Sequence, residues 1–151
     1  RSTWAPAQAR PCWRWCRILN RRPAGPSPSR SSTVGRAPSP QGVLRVEDEI
    51  LSESTHEFEM AWHFAEDCKV SLLEGGALVQ TESVELQLSW PPETRARCVC
   101  GDTNPPRGWI SRRFDAMIAC PTIVVSGRNL GHWRGVTEVQ VNVLSDVRNA
   151  R

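Results

Sequence analysis

Alternation of apolar and polar residues with a period of two is the feature that most restricts what this chain can fold into. It is clearest in the stretch HEFEMAWHFAEDCKV, residues 56–70. One face of an extended strand would carry His56, Phe58, Met60, Trp62 and Phe64. The other face would carry Glu57, Glu59, Ala61 and His63. A period of two is typical of a half-buried β-strand, so we predict a strand with one large apolar face.

The two histidines of this stretch do not match a metal-binding motif. The zinc-protease motif H-E-x-x-H places its histidines four residues apart on one helix face. His56 and His63 are seven residues apart, and on a strand they point to opposite faces. His63 lies on the polar face beside Glu59, and it is therefore the better candidate of the two for a binding residue.

The same alternation recurs through the rest of the chain, interrupted by turn residues. The predicted strands are 43–51, 56–64, 68–73, 77–81, 84–90, 95–101, 109–115, 121–128 and 136–144. The interval 102–108 is predicted to be a loop that cannot pair, and 129–135 a turn-rich loop. About nine short strands at roughly ten-residue spacing, with no helical pattern, predict an all-β antiparallel β-sandwich.

Residues 1–42 differ sharply in composition from the rest of the chain. They contain eight arginines, seven of the twelve prolines and no acidic residue, which gives a charge of +8, against −5 for residues 43–151. Such a composition is typical of a disordered segment, or of DNA translated out of frame. We therefore predict a disordered or spurious Arg/Pro/Ser-rich tail at 1–42 and one folded domain at 43–151. A transit peptide and nucleic-acid binding through the tail are weaker alternatives.

Other functional classes find little support in the sequence. No apolar run is long enough for a transmembrane helix or a secretory signal, so we expect no membrane partner and predict no location. Six cysteines are present, but none forms a C-x-x-C pair. Cys98 and Cys100, two apart on a strand, are too far apart to bridge easily, so buried free thiols are favoured over a zinc site or disulfides.

The order of several motifs resembles a known family. LRVEDEI is followed by HEFEMAWHFAEDCKV, VELQLSW, GWISRRFD and a final valine-rich strand. This order resembles the C-terminal β-domain of the heparinase II/III-like polysaccharide lyases, over residues 42 to about 144. The resemblance implies a piece of a larger enzyme, often periplasmic or secreted, in which a helical toroid precedes the β-sandwich. Such enzymes cleave uronate-containing polysaccharides by β-elimination, with a base removing the C5 proton and a Tyr or His acting as acid.

The chain departs from this family at the positions that carry chemistry. The toroid and the D-H-G-H-type segment are absent, the chain has no tyrosine, and Phe114 stands where the family often has one. The resemblance therefore implies no catalytic residue, metal ligand or cofactor here. We predict a C-terminal lyase fragment, inactive on its own, with the missing toroid and an acidic polysaccharide as partners. The alternative is a free-standing carbohydrate-binding or structural β-sandwich.

Four residues are predicted to contact polysaccharide. Arginine forks match carboxylates and sulfates, and an indole ring can lie flat on a sugar. The predicted set is His63, Trp109, Arg112 and Arg113. The alternative for Trp109 and the two arginines is a strand with exposed arginines beside a core tryptophan.

Two further clusters are weaker candidates. The residues of 132–134, HWR, repeat the aromatic and basic chemistry on a glycine-flanked loop. The acidic triplet 47–49 could serve acid–base chemistry, but its residues alternate faces on a strand. We therefore expect the triplet to be a solvated strand edge.

Overall fold

The computed structural model describes residues 13–19, 29–36 and 42–144, and in the first two ranges the backbone alone. Every regular element in these ranges is a β-strand. The strands are β1 Trp13–Leu19, β2 Ser29–Arg36, β3 Val43–Leu51, β4 Thr55–His63, β5 Lys69–Leu73, β6 Gly76–Gln80, β7 Val84–Ser89, β8 Arg95–Val99, β9 Asp102–Thr103, β10 Pro106–Arg107, β11 Trp109–Arg113, β12 Ala116–Ala119, β13 Thr122–Leu130 and β14 Trp133–Val143. The described ranges hold no helix of the length and apolar character needed to cross a bilayer.

Two antiparallel sheets form the body of the fold. The four-stranded sheet has the order β1-β4-β13-β8, and the six-stranded sheet has the order β2-β3-β14-β7-β6-β5. The pairs β9–β10 and β11–β12 form two short ribbons between β8 and β13 in the chain. The predicted all-β, antiparallel sandwich is confirmed.

The core contains apolar side chains from both sheets. In β4 the burial alternates as the sequence predicts except at Ala61, which is also buried, and Phe58, Met60 and Trp62 are nearly inaccessible to solvent. The Phe58 ring packs on Trp133 of the other sheet, with ring centroids 4.2 Å apart. Because this aromatic pair joins strands of different sheets, it helps to hold the two sheets together.

The acidic triplet differs from the prediction at its central residue. Asp48 is 1% exposed, because it is in phase with Val46 and Ile50, whose side chains face the core. Glu47 and Glu49 are in the opposite phase and lie partly exposed on the outer face. The expectation of a solvated edge is therefore wrong for Asp48.

Two strands lie inside the basic segment 1–42, where the composition predicts none. β1 pairs with β4 from Trp13↔His63 to Leu19↔Glu57, and β2 pairs with β3 from Ser29↔Leu51 to Arg36↔Leu44. Edge strands offer unused backbone N–H and C=O groups, and pairing with them requires no apolar periodicity in the added strand. The other residues of 1–41 lie outside the described ranges, and for them the predicted disorder stays a prediction.

The interval 102–119 contains more strand than the pattern indicates. The predicted loop 102–108 includes β9 and β10, of two residues each, and β12 occupies what the sequence suggests is a short link. β14 begins at Trp133, three residues before the predicted start. Strands of two to four residues carry too little alternation to be distinguished from a turn.

Candidate binding cleft

A cleft of about 250 Å³ lies on the outer face of the four-stranded sheet. Its floor is formed by Glu59, Ala61 and His63 of β4 and by Thr122 and Val124 of β13. Since alternate residues on these strands face the core, these five point to the opposite side. The register sets Thr122 beside His63 and Val124 beside Ala61, so the floor is continuous across the two strands.

The wall of the cleft is formed by the ribbons, with Pro106, Arg107, Gly108, Trp109 and Met117 lining it. The carbonyl oxygen of Gly108 accepts hydrogen bonds from the backbone N–H groups of Gly101, at 3.0 Å, and of Cys120, at 2.8 Å. The indole Nε1 of Trp109 donates to the backbone oxygen of Asp102, at 2.8 Å. These bonds hold the two ribbons to each other.

Gly108 has a backbone conformation that L side chains rarely adopt, with φ +72°. A Cβ at this position would lie 2.8 Å from both the Cα of Cys100 and the backbone nitrogen of Gly101. Neither backbone atom can move aside as a flexible side chain could, so only glycine fits here.

A bidentate ion pair joins the floor to the wall. Arg107 donates from both terminal nitrogens to Glu59, at 2.9 Å to Oε1 and 2.7 Å to Oε2. The side chains are 17% and 12% exposed, so solvent screens the pair weakly. Sequence reasoning does not find Arg107 as a site residue, because its partner is 48 residues away and nothing local marks the contact.

His63 is hydrogen bonded on the floor of the cleft. Its Nδ1 lies 2.9 Å from the hydroxyl of Thr122. Burial lowers the pKa of His63 below its usual value of 6.5, because desolvation disfavours the charged imidazolium. The ring is therefore predominantly neutral at pH 7 and can accept a proton or a hydrogen bond.

The two predicted arginines of β11 lie outside the lining of the cleft. Arg112 pairs with Glu66, with Nε 3.1 Å from Oε1, and this hydrogen bond raises the pKa of Arg112. Arg113 is exposed on the same ribbon. The structure thus places His63 and Trp109 in one cleft and leaves both arginines out of its lining. Whether the four residues bind polysaccharide stays a prediction.

The cluster at 132–134 has a structural explanation. Trp133 is 5% exposed and packs in the core, so its ring faces cannot stack on a sugar. His132 lies 2.9 Å from Glu49, and Arg134 lies 2.7 Å from Glu47. The hydrogen bond from Arg134 lowers the pKa of Glu47. These exposed pairs connect β14 to β3.

The cysteines of the described side chains are free. Cys120 is buried and Cys68 is partly buried, but Cys98 and Cys100 are exposed, so the expectation of buried thiols is wrong for these two. Burial raises the pKa of Cys68, Cys98 and Cys120, which keeps these thiols protonated near neutral pH. Within the residues whose side chains are described, no three His, Cys, Asp or Glu side chains converge in a way that could hold a metal ion.

Comparison with known sequences decides the family. The sequence profile of the family described as heparinase II/III-like, C-terminal, matches residues 21–145. This chain belongs to that family. The match confirms the resemblance seen in the motifs, and it begins inside the basic segment, ahead of β2.

Solved heparinase structures have the same fold as this family member. The crystal structure of the heparan sulfate lyase HepC from Pedobacter heparinus aligns with a TM-score of 0.58 at 13% identity, over 87% of this chain. The heparinase III BT4657 gene product aligns with a TM-score of 0.55 at 12% identity, also over 87%. The chain spans 22% of the length of either structure. No curated protein matches the sequence.

Proposed function

We propose that this chain is the C-terminal β-sandwich of a polysaccharide lyase that cleaves uronate-containing polysaccharides by β-elimination, and that it is inactive on its own. The observation that carries the proposal is the match to the heparinase II/III-like C-terminal family over residues 21–145. The solved neighbours, which include a heparan sulfate lyase, support the same class of reaction. The proposed partners are a helical toroid domain and an acidic polysaccharide.

The proposed inactivity follows from what β-elimination requires. A base must remove the C5 proton, the neighbouring carboxylate must be neutralised, and an acid must protonate the leaving oxygen. In the cleft, His63 can accept a proton, but Arg107 is already engaged by Glu59. The chain contains no tyrosine to act as the acid. The cleft therefore supplies a base, but neither a free group to neutralise the carboxylate nor a tyrosine acid.

The proposed contribution of the sandwich is to help bind the substrate, through His63, Trp109, Arg112 and Arg113. Support comes from the position of His63 and Trp109 in one cleft and from the exposure of Arg113 on the same strand as Trp109. Arg112 can contact a sulfate or carboxylate only in competition with Glu66. We therefore expect Arg113 to contribute more than Arg112.

A lyase assay tests the proposal. Purified chain is incubated with heparan sulfate, and the unsaturated uronate product is followed by its ultraviolet absorbance. We expect no product from the chain alone, while heparan sulfate still binds in a pull-down or by calorimetry. Product formed by the purified chain would overturn the proposed inactivity. Absence of heparan sulfate binding would remove the support for a substrate-binding role.

A free-standing carbohydrate-binding module is the second candidate. It would use the same cleft, in which His63 and Trp109 both lie. The coding DNA upstream of this chain distinguishes the two candidates. A toroid-encoding sequence there supports the lyase, whereas a start codon without one supports the free-standing module.

A further inference from the structure

Two opposite charges in the cleft pair with each other, and much of the remaining lining is apolar. Among the residues whose side chains the structure describes, the charged ones that line it are Glu59 and Arg107, which neutralise each other at two hydrogen bonds. The remaining titratable lining residue is His63, whose buried ring is predominantly neutral at pH 7. The described lining therefore has no net charge, although Arg97 of β8 pairs with Val124 and lies exposed on the same face, outside the lining.

An anionic group in this cleft would be opposed by Glu59. To bind a carboxylate or sulfate with a bidentate fork, Arg107 would have to leave Glu59, whose side chain is only 12% exposed. The freed glutamate would then be a poorly solvated negative charge next to the incoming one. Removing one partner of such a pair is strongly unfavourable.

A sugar without charge suits the same surroundings. The hydroxyl groups of a pyranose both donate and accept, so they can bond to the outer lone pairs of Glu59 and to the second N–H of each Arg107 terminal nitrogen while the ion pair stays intact. The carbon–hydrogen face of the ring can lie against Trp109 and the exposed Met117. The volume of about 250 Å³ is at the small end for ligand sites, which favours a single ring over a longer oligosaccharide.

We propose that the cleft is a binding site for one uncharged pyranose residue, such as an N-acetylhexosamine, and that charged residues of a polysaccharide lie outside it. This inference rests on the proposed function in that the uncharged residue is part of an alternating acidic polysaccharide. The sequence predicts that His63 and Trp109 contact an acidic sugar. In this proposal they contact an uncharged one, because the pair of Arg107 and Glu59 disfavours an anion in the cleft.

The test uses the full chain and two probes, di-N-acetylchitobiose as the uncharged sugar and a heparin tetrasaccharide as the anionic one. Binding is followed by amide and indole NMR shifts. We expect chitobiose to shift the Gly108 amide and the Trp109 indole. Its affinity should change less than about twofold when NaCl is raised from about 0.05 to about 0.5 M, because screening acts on charged ligands.

A matched pair of variants locates the site. Ala61 faces the cleft and is 5% exposed, so Ala61→Leu fills the space that the sugar ring would occupy. We expect chitobiose to bind this variant at least about tenfold more weakly, a loss of about 1.4 kcal/mol. Ala116→Leu makes the same substitution on the hairpin outside the cleft and should leave the affinity unchanged. If Ala61→Leu fails to fold, the NMR shifts of the unaltered chain decide.

The outcomes separate this inference from the proposed function. If the tetrasaccharide alone binds, with shifts in the cleft that vanish at high salt, the neutral site is overturned and the lyase proposal stands. If chitobiose shifts residues outside the cleft, or nothing at all, the inference is also overturned. The lyase proposal is decided independently, by the upstream coding sequence.

Discussion

At the scale of single residues, the wall of the cleft depends on Gly108. We predict that Gly108→Ala lowers the free energy of unfolding by about 3 kcal/mol, because it adds a backbone clash to an unfavourable positive φ. Gly75→Ala is the matched control, since Gly75 has φ +69° with no atom within 4 Å of an added Cβ. It should cost about 1 kcal/mol, from the backbone conformation alone. Urea denaturation of both variants measures the difference, and equal losses would contradict the clash.

His63 makes stability depend on pH at the same scale. Its pKa is lower in the folded chain than the usual 6.5, so the unfolded chain binds the proton more tightly. Stability is therefore fully present above pH 6.5 and falls as the pH decreases towards the folded value. His63→Gln should show a shallower fall of the denaturation midpoint between about pH 7 and about pH 5. An NMR titration that gives His63 a pKa above 6.5 would reverse the sign.

At the scale of elements, the ion pair of Glu59 and Arg107 ties β10 to β4. We predict that Arg107→Ala destabilises the fold by about 2 kcal/mol, because it leaves Glu59 poorly solvated without its partner. Arg45→Ala is the control, since the Arg45 side chain is 44% exposed in its pairs with Glu47 and Glu138. Exposed pairs contribute little, so its loss should be within about 0.5 kcal/mol.

A double-mutant cycle checks that the effect belongs to the pair. Glu59→Ala with Arg107→Ala should cost less than the sum of the two single changes, because the second change removes the charge that the first left behind. The measurement is the free energy of unfolding in urea for the four proteins. Strict additivity would show that the two side chains act on stability independently.

The same elements show what sequence can and cannot predict. Strands such as β4 and β7 have a period of two over six residues or more, and their existence is readable from the sequence. That periodicity identifies the face with Phe58 and Met60 as core, but it does not reveal what covers the opposite face. Ala61 lies on that opposite face and lines the cleft together with ribbons whose strands β9 and β10 have two residues each and no readable period.

Candidate site residues also fall into two groups, those that local sequence properties identify and those that they do not. His63 and Trp109 are found because residue type and strand phase are local properties. Arg107 is missed because its role is set by Glu59 on a distant strand. Asp48 is misjudged because an acidic residue is expected to be exposed, although its strand phase, shared with Val46 and Ile50, points inward.

At the scale of the whole molecule, the composition of the basic segment and the pairing of its strands lead to opposite predictions about whether the fold needs it. Composition favours a tail that could be removed without effect, whereas β1 and β2 pair with β4 and β3 along most of their lengths. A chain that lacks residues 1–41 would expose both partner strands as long edges. Exposed edges of this kind template association with other chains.

Deletion of residues 1–41 therefore tests the domain boundary. We expect the shortened chain to unfold at lower urea and to aggregate at concentrations where the full chain is monomeric, because β3 and β4 lose their outer partners. Deletion of residues 1–12 removes neither strand and serves as the control, with unchanged stability. Denaturation and light scattering of the three proteins give the answer. If the chain without residues 1–41 is as stable and monomeric as the full chain, the fold begins near residue 42 and the basic segment is dispensable.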